Sequence, residues 1–130
     1  MPTRTPDRAR TVRRTVRRIL RTLPAVAWAA GIWALSATPA PPGAQWASWP
    51  GADKVAHALL FAGQAATLRF AGLPARAAFL AAVAWGATDE LHQRTVPGRT
   101  ADPFDLLADA FGAAFGAAVR RRPADRRPAR

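Results

Sequence analysis

Cysteine is absent from the 130-residue chain. That excludes a disulfide framework and any thiolate metal site, and leaves the redox compartment unspecified. Acids are scarce where the bases crowd. Residues 1–23 hold eight arginines against Asp7 alone, and residues 120–130 hold six against Asp125. Between these ends, six acids face Lys54 and four arginines, so the formal charge of +11 belongs to the termini. A soluble nucleic-acid binder with arginine tails would need basic groups across a folded face. Here the central region carries a slight excess of acid, so no nucleic-acid partner is expected. No internal repeat is visible. Mean hydropathy is close to neutral although 50% of the residues are hydrophobic, because alanine is a good helix former and only mildly apolar.

Four apolar stretches are present, at 19–38, 55–72, 75–91 and 104–119. A helix rises about 1.5 Å per residue and the bilayer hydrocarbon is roughly 30 Å thick, so about 20 residues make a span. The last three stretches are slightly short and need snorkelling flanks or local thinning. Together the four leave almost no chain for a soluble core. The segments between them suit helical hairpins. Residues 39–52 are rich in proline and glycine and carry Trp46 and Trp49, residues suited to a membrane interface. Gly72-Leu73-Pro74 makes a tight turn, and Pro97-Gly98 marks another between the third and fourth stretches. The expectation is an all-α fold: a four-helix transmembrane bundle over 19–119. Two basic tails, 1–18 and 120–130, flank it, disordered in water or lying on anionic headgroups.

Orientation follows the excess of arginine on cytoplasmic segments. Both tails and the turn flanked by Arg69 and Arg76 fall inside, giving a multi-pass cell-membrane protein with both termini cytoplasmic. The arginine-rich start and Thr38-Pro39-Ala40 also loosely fit a secretory signal. The apolar run is long for that, and the later stretches would then lack a home.

With this topology, three polar clusters reach the outer face together. Asp53, Lys54 and His57 open the second helix, with Asp53 and His57 one turn apart on one side. Asp89, Glu90 and Gln93 close the third. Arg99, Asp102, Asp105 and Asp109 occupy the outer loop and the start of the fourth. Asp102 before Pro103 fits an N-cap with proline in the first helical position, Asp105 complements the helix dipole, and Asp53 is a second candidate cap. Capping does not explain Asp109. It lies two turns into an apolar stretch, where a charge costs about 2.5–3.5 kcal/mol at full depth. It should face the bundle, paired or protonated, with Lys54, Arg99 and His57 as available partners. Three outcomes stay open. The acids form a structural ion-pair network; or His57, Glu90 and Asp105 act as general acid and base; or the acids bind a cation, and Asp53, Lys54, Gln93, Arg99 and Asp109 are candidates for holding a ligand. Carboxylates with His57 are of the type that holds a divalent ion, but no spacing has the specificity of a zinc motif. No metal and no other cofactor is expected. Gly112 and Gly116 allow close helix approach, with a neighbouring helix of the same chain preferred to a dimer.

In the order of these motifs the chain resembles the VanZ-like family. They are Asp53-Lys54 with His57, Asp89-Glu90 with Gln93, Val96-Pro97-Gly98-Arg99, then Asp105 with Gly112 and Gly116. The resemblance covers about residues 30–119. It implies a small multi-pass membrane protein with a role in the cell envelope, the founding member being associated with low-level resistance to the glycopeptide teicoplanin. The partners it implies are the bilayer and an envelope lipid or glycopeptide-related ligand. It assigns no reaction to Asp53, His57, Glu90, Gln93, Arg99 or Asp105. In one respect the chain departs from the family pattern: Asp109 stands where an asparagine is usual. Two further roles remain beside envelope modulation. One is a membrane-embedded enzyme acting on a lipid-linked or phosphorylated envelope compound, with Lys54 or Arg99 gripping an anion. The other is a structural partner of another membrane protein.

Overall fold

Glycine and proline divide the chain into helices. The computed structural model describes residues 8–39, 49–97, 99 and 101–119, and among these it contains four helices and no strand. They are α1 (Arg8–Ser36), α2 (Ala52–Ala71), α3 (Ala75–Gln93) and α4 (Pro103–Ala118). Gly51, at φ 87°, precedes α2, and Gly72, at φ 122°, ends it. The Gly72 amide donates to Leu68 O and Arg69 O, and the Leu73 amide also donates to Leu68 O at 3.2 Å. These bonds satisfy the last carbonyls of the helix and need a left-handed residue that glycine supplies without strain. Pro74 then sets the entry to α3. The tight turn expected at 72–74 is therefore present.

One expectation about the tails is corrected. The tail 1–18 is expected to be disordered in water or to lie on anionic headgroups; the disordered alternative does not hold from Arg8 onward, where α1 begins, eleven residues ahead of the apolar stretch. Once the apolar part has nucleated, each added residue gains a hydrogen bond, and arginine is a good helix former. The arginine side chains stay exposed, so their mutual repulsion is met in solvent. Pro24 lies inside α1 and leaves one backbone carbonyl of the preceding turn without its helical donor. The remaining tail segments, 1–7 and 120–130, lie outside the described residues, as do Trp46 and Gly98; the Arg99 amide donates to Val96 O at 3.1 Å, closing a turn where Pro97-Gly98 leads one to expect it.

Helix α4 packs along α2 and touches α3, while α1 covers the other side of α2 and α3. The core is built of small residues, Ala65, Ala78, Ala82, Ala113 and Ala117, around Phe61 and Ile32. Gly112 and Gly116 bring α4 onto α2. A β-carbon on either would overlap the backbone carbonyl of Ala58 or Ala62 respectively. The glycine pair therefore serves a contact within the chain.

Side chains are distributed inside out. Along α4, Phe104, Leu107, Phe111 and Phe115 point away from the bundle, the last two 76% exposed. The inward face of the same helix carries Asp105, Asp109, Gly112, Ala113, Gly116 and Ala117. Leu59 and Phe70 of α2 and Leu80 and Leu91 of α3 are likewise exposed. Among the described residues one helix, α1, is long and apolar enough to cross a membrane by length and composition. It stands near the N-terminus, and little of its apolar window is buried against the rest.

Candidate functional site

The C-terminal ends of α1 and α3 and the N-terminal ends of α2 and α4 meet at one end of the bundle, and the buried polar residues among those described, apart from Gln64 in mid-α2, collect there. They form two sets. In the larger, Lys54 of α2 reaches across to α4. Its ammonium donates to Asp102 Oδ2 and Asp105 Oδ1, both at 2.6 Å, and to Asp53 Oδ2 at 3.0 Å. One turn on, His57 Nδ1 stands 2.9 Å from Asp109 Oδ1, with the ring nitrogen as donor to the carboxylate. The other ring nitrogen, Nε2, faces Asp105 Oδ2 at 3.9 Å. Glu90 arrives from α3, and its Oε2 accepts the Asp102 amide at 3.0 Å.

The smaller set joins α1 to α3. Ser36 Oγ donates to Asp89 Oδ1 at 2.6 Å, and Gln93 Nε2 donates to Asp89 Oδ2 at 3.2 Å. Arg99 lies beside it, donating from Nε to Thr38 O at 3.1 Å and from a terminal nitrogen to Leu35 O at 3.2 Å. These carbonyls end α1, whose last turn has no basic residue of its own. A guanidinium at a helix C-terminus offsets the dipole, and here it adds to the bonds that Leu35 O already accepts from the Thr38 amide and hydroxyl.

Local chemistry explains much of the placement. The Asp102 carboxylate accepts the Phe104 amide at 2.9 Å with Pro103 next in line, so it caps α4 as expected. The Lys54 ammonium, and after it the Phe104 amide, hold the Asp102 carboxyl below the usual carboxylate range. Asp53 does not cap α2. Gly51 occupies the N-cap with no side-chain bond, and Asp53 sits in the first turn, where its charge suits the dipole. Asp109 is only 1% exposed, with Oδ2 lying over Gly86, where a β-carbon would come within 2.8 Å of it. A buried carboxylate of this kind needs a partner, and His57 provides it.

Of the anticipated site residues, His57, Glu90, Asp105, Asp109, Lys54 and Asp53 are joined in one network. Gln93 belongs to the Asp89 set. Arg99 is turned onto two carbonyl oxygens through two of its nitrogens, and Lys54 is shared among three carboxylates. The main omission from the expected site was the Ser36–Asp89 pair. Its Asp89–Gln93 half is visible as a four-residue helical spacing, whereas Ser36, 53 residues from Asp89, gives no local signal.

The fold and the site define an all-α protein that gathers buried carboxylates at one end of a helix bundle and turns the phenylalanines of α4 outward. A family model described as VanZ/LLP1 matches residues 6–121, and the chain belongs to that family. The match extends from the basic start of α1 to beyond α4. No curated protein and no solved structure matches the chain.

Proposed function

We propose that this chain is a multi-pass integral membrane protein of the cell envelope, with four spans and both termini cytoplasmic. Its polar cluster would face the outer side of the membrane, and its role would be to lower sensitivity to glycopeptide agents. The observation that carries the reading is the reversal of α4, with Phe111 and Phe115 outward and Asp105 and Asp109 inward. Full burial of a phenylalanine side chain is worth about 1.5–3 kcal/mol in water, and the bundle forgoes most of that at both positions. Acyl chains around the helices would recover it. The small-residue contacts of Gly112 and Gly116 fit the same solvent, since helices in lipid associate by close packing and not by hydrophobic exclusion.

The test combines topology and phenotype. A reporter fused after Trp46 should be active outside the cytoplasm, and one fused after Arg122 inside it. Cells expressing the chain should tolerate more teicoplanin than cells without it. His57→Ala and Glu90→Gln should abolish that tolerance at unchanged protein abundance. Reversed reporter activity, or no change in tolerance, would overturn the reading.

The His57–Asp109 pair beside Glu90 supports a second role, a membrane-embedded enzyme acting on a lipid-linked or phosphorylated envelope compound. A histidine oriented by one carboxylate and flanked by another is suited to proton transfer. An anionic substrate would have to displace a carboxylate from Lys54 or be held by the remaining Arg99 N–H groups or by another group. Turnover of such a compound by the purified chain, lost in His57→Ala, would decide for this role.

A further inference from the structure

Three donor groups in the larger polar set share one arrangement: each has one atom held by the protein and another left over. His57 gives Nδ1 to Asp109 and keeps Nε2. Asp105 gives Oδ1 to Lys54 and keeps Oδ2, which faces that Nε2. Glu90 gives Oε2 to the Asp102 amide, and its Oε1 is buried with no hydrogen-bond partner. The glutamate is 7% exposed, so no surface water relieves that oxygen at ordinary cost. One ligand atom from each of the three residues lies within 4.8 Å of the other two.

Building on the outer-face site proposed above, we infer that His57, Glu90 and Asp105 form a binding site for a divalent cation, zinc or manganese. Five carboxylates in this set, those of Asp53, Glu90, Asp102, Asp105 and Asp109, meet a single lysine, so added positive charge is what the site lacks. One imidazole with two carboxylates suits borderline and hard divalent ions, and the absence of thiolates disfavours the softer ones. The dimensions fit. A cation at the centre of a triangle of that edge stands about 2.8 Å from each corner, and side-chain shifts of about 0.7 Å bring the donors to metal–ligand distance.

The supporting shell is also present. Metal-bound histidines commonly donate their second N–H to a carboxylate, which sets the tautomer and aims the lone pair. Asp109 stands in that position to His57. This gives a purpose to an acid that is only 1% exposed. The side chains of His57 and Asp105 keep 16% and 11% of their surface open, which leaves an entry path. Three protein donors leave further positions to water or to an anionic group of an envelope compound. No spacing along the chain announces the site, because its donors come from three different helices.

The experiment is metal titration of the full chain in detergent micelles after chelator treatment, using zinc chloride and manganese chloride separately. Calorimetry would report affinity, and metal analysis after gel filtration would report stoichiometry. One ion per chain is expected for at least one of the two metals. His57→Ala and Glu90→Gln should weaken binding by at least about 100-fold, and Asp109→Asn by about 10–100-fold. His92→Phe should leave it unchanged. Helical circular dichroism checks each variant. If a ligand variant loses its fold, the Asp109→Asn and His92→Phe pair still decides. Substoichiometric binding of both metals, or equal affinity in the parent and Asp109→Asn, would overturn the inference. Micelles have no inside or outside, so reversed topology in cells would remove the functional reading and leave the metal site standing. Correct topology without stoichiometric metal would do the opposite.

Discussion

Replacing Gly112 with alanine inserts a single methyl group at the closest approach between α2 and α4. A β-carbon there would overlap the Ala58 carbonyl oxygen and come within 2.6 Å of its carbon and 2.8 Å of the Ala58 α-carbon. All three atoms belong to the backbone, so no rotamer change relieves the clash and the helices must separate. Ordinary contact is about 3.5–4.0 Å, and the overlapped oxygen sets the requirement at about 1.5 Å of displacement or more. Overpacking of this kind costs about 1–3 kcal/mol, partly offset by the roughly 1 kcal/mol advantage of alanine over glycine in a helix. The same displacement would stretch the His57–Asp109 bond from 2.9 Å, since these residues bridge the two helices within a turn of the contact. Gly31 is the matched control. A β-carbon on it meets nothing within 4 Å, so Gly31→Ala should leave stability unchanged or raise it by up to about 1 kcal/mol. Thermal unfolding in a single detergent, followed by circular dichroism, compares the two. The reasoning is refuted if Gly112→Ala is as stable as the parent, or if Gly31→Ala is the more destabilised of the pair.

Three further outcomes follow from named contacts. Asp102 has its carboxyl pKa lowered, so its contribution is full above the ordinary carboxylate value of about 4 and is lost as pH falls through the folded value. Asp102→Asn should retain the cap yet flatten the acid limb of a Tm-against-pH curve; an unchanged limb would count against the Lys54 pairing. Arg99→Ala removes two charge-assisted bonds to the end of α1 and should cost about 1.5–3 kcal/mol. Amide exchange in the last turn of α1 should accelerate first, and uniform acceleration would contradict the capping role. Trp28→Phe deletes the 2.8 Å bond from the indole N–H to Leu60 O and should cost about 1 kcal/mol, measurable by the same unfolding assay; an unchanged Tm would show that α1 is not held to α2 there.

The helices were legible because glycine and proline punctuate the chain at 51, 72, 74 and 103, and the apolar stretches between them match the observed elements within a few residues. The start of α1 was not, since an arginine run reads as a solvated tail, and only continuity with an apolar helix reveals that it keeps winding. Chain direction alone brings the three polar clusters together, as alternating helices must. What no local pattern could give was the partition inside that end. His57 could have faced any acid one turn away on a neighbouring helix. Its choice of Asp109 depends on the register of α4 against α2, and that register is set by Gly112 and Gly116. Arg99 reads as a partner for acids because charge suggests charge, whereas the structure turns it onto the carbonyls of Leu35 and Thr38 at the end of α1.

The absence of cysteine makes the central claim open to one direct measurement. Single cysteines introduced by Trp49→Cys, ahead of α2, and Arg76→Cys, at the start of α3, can be labelled in intact cells with a membrane-impermeant maleimide. Both residues are exposed, at opposite ends of the bundle. The account predicts labelling of Trp49→Cys in intact cells and of Arg76→Cys only after permeabilisation. Labelling of Arg76→Cys from outside, or of both variants alike, would contradict it.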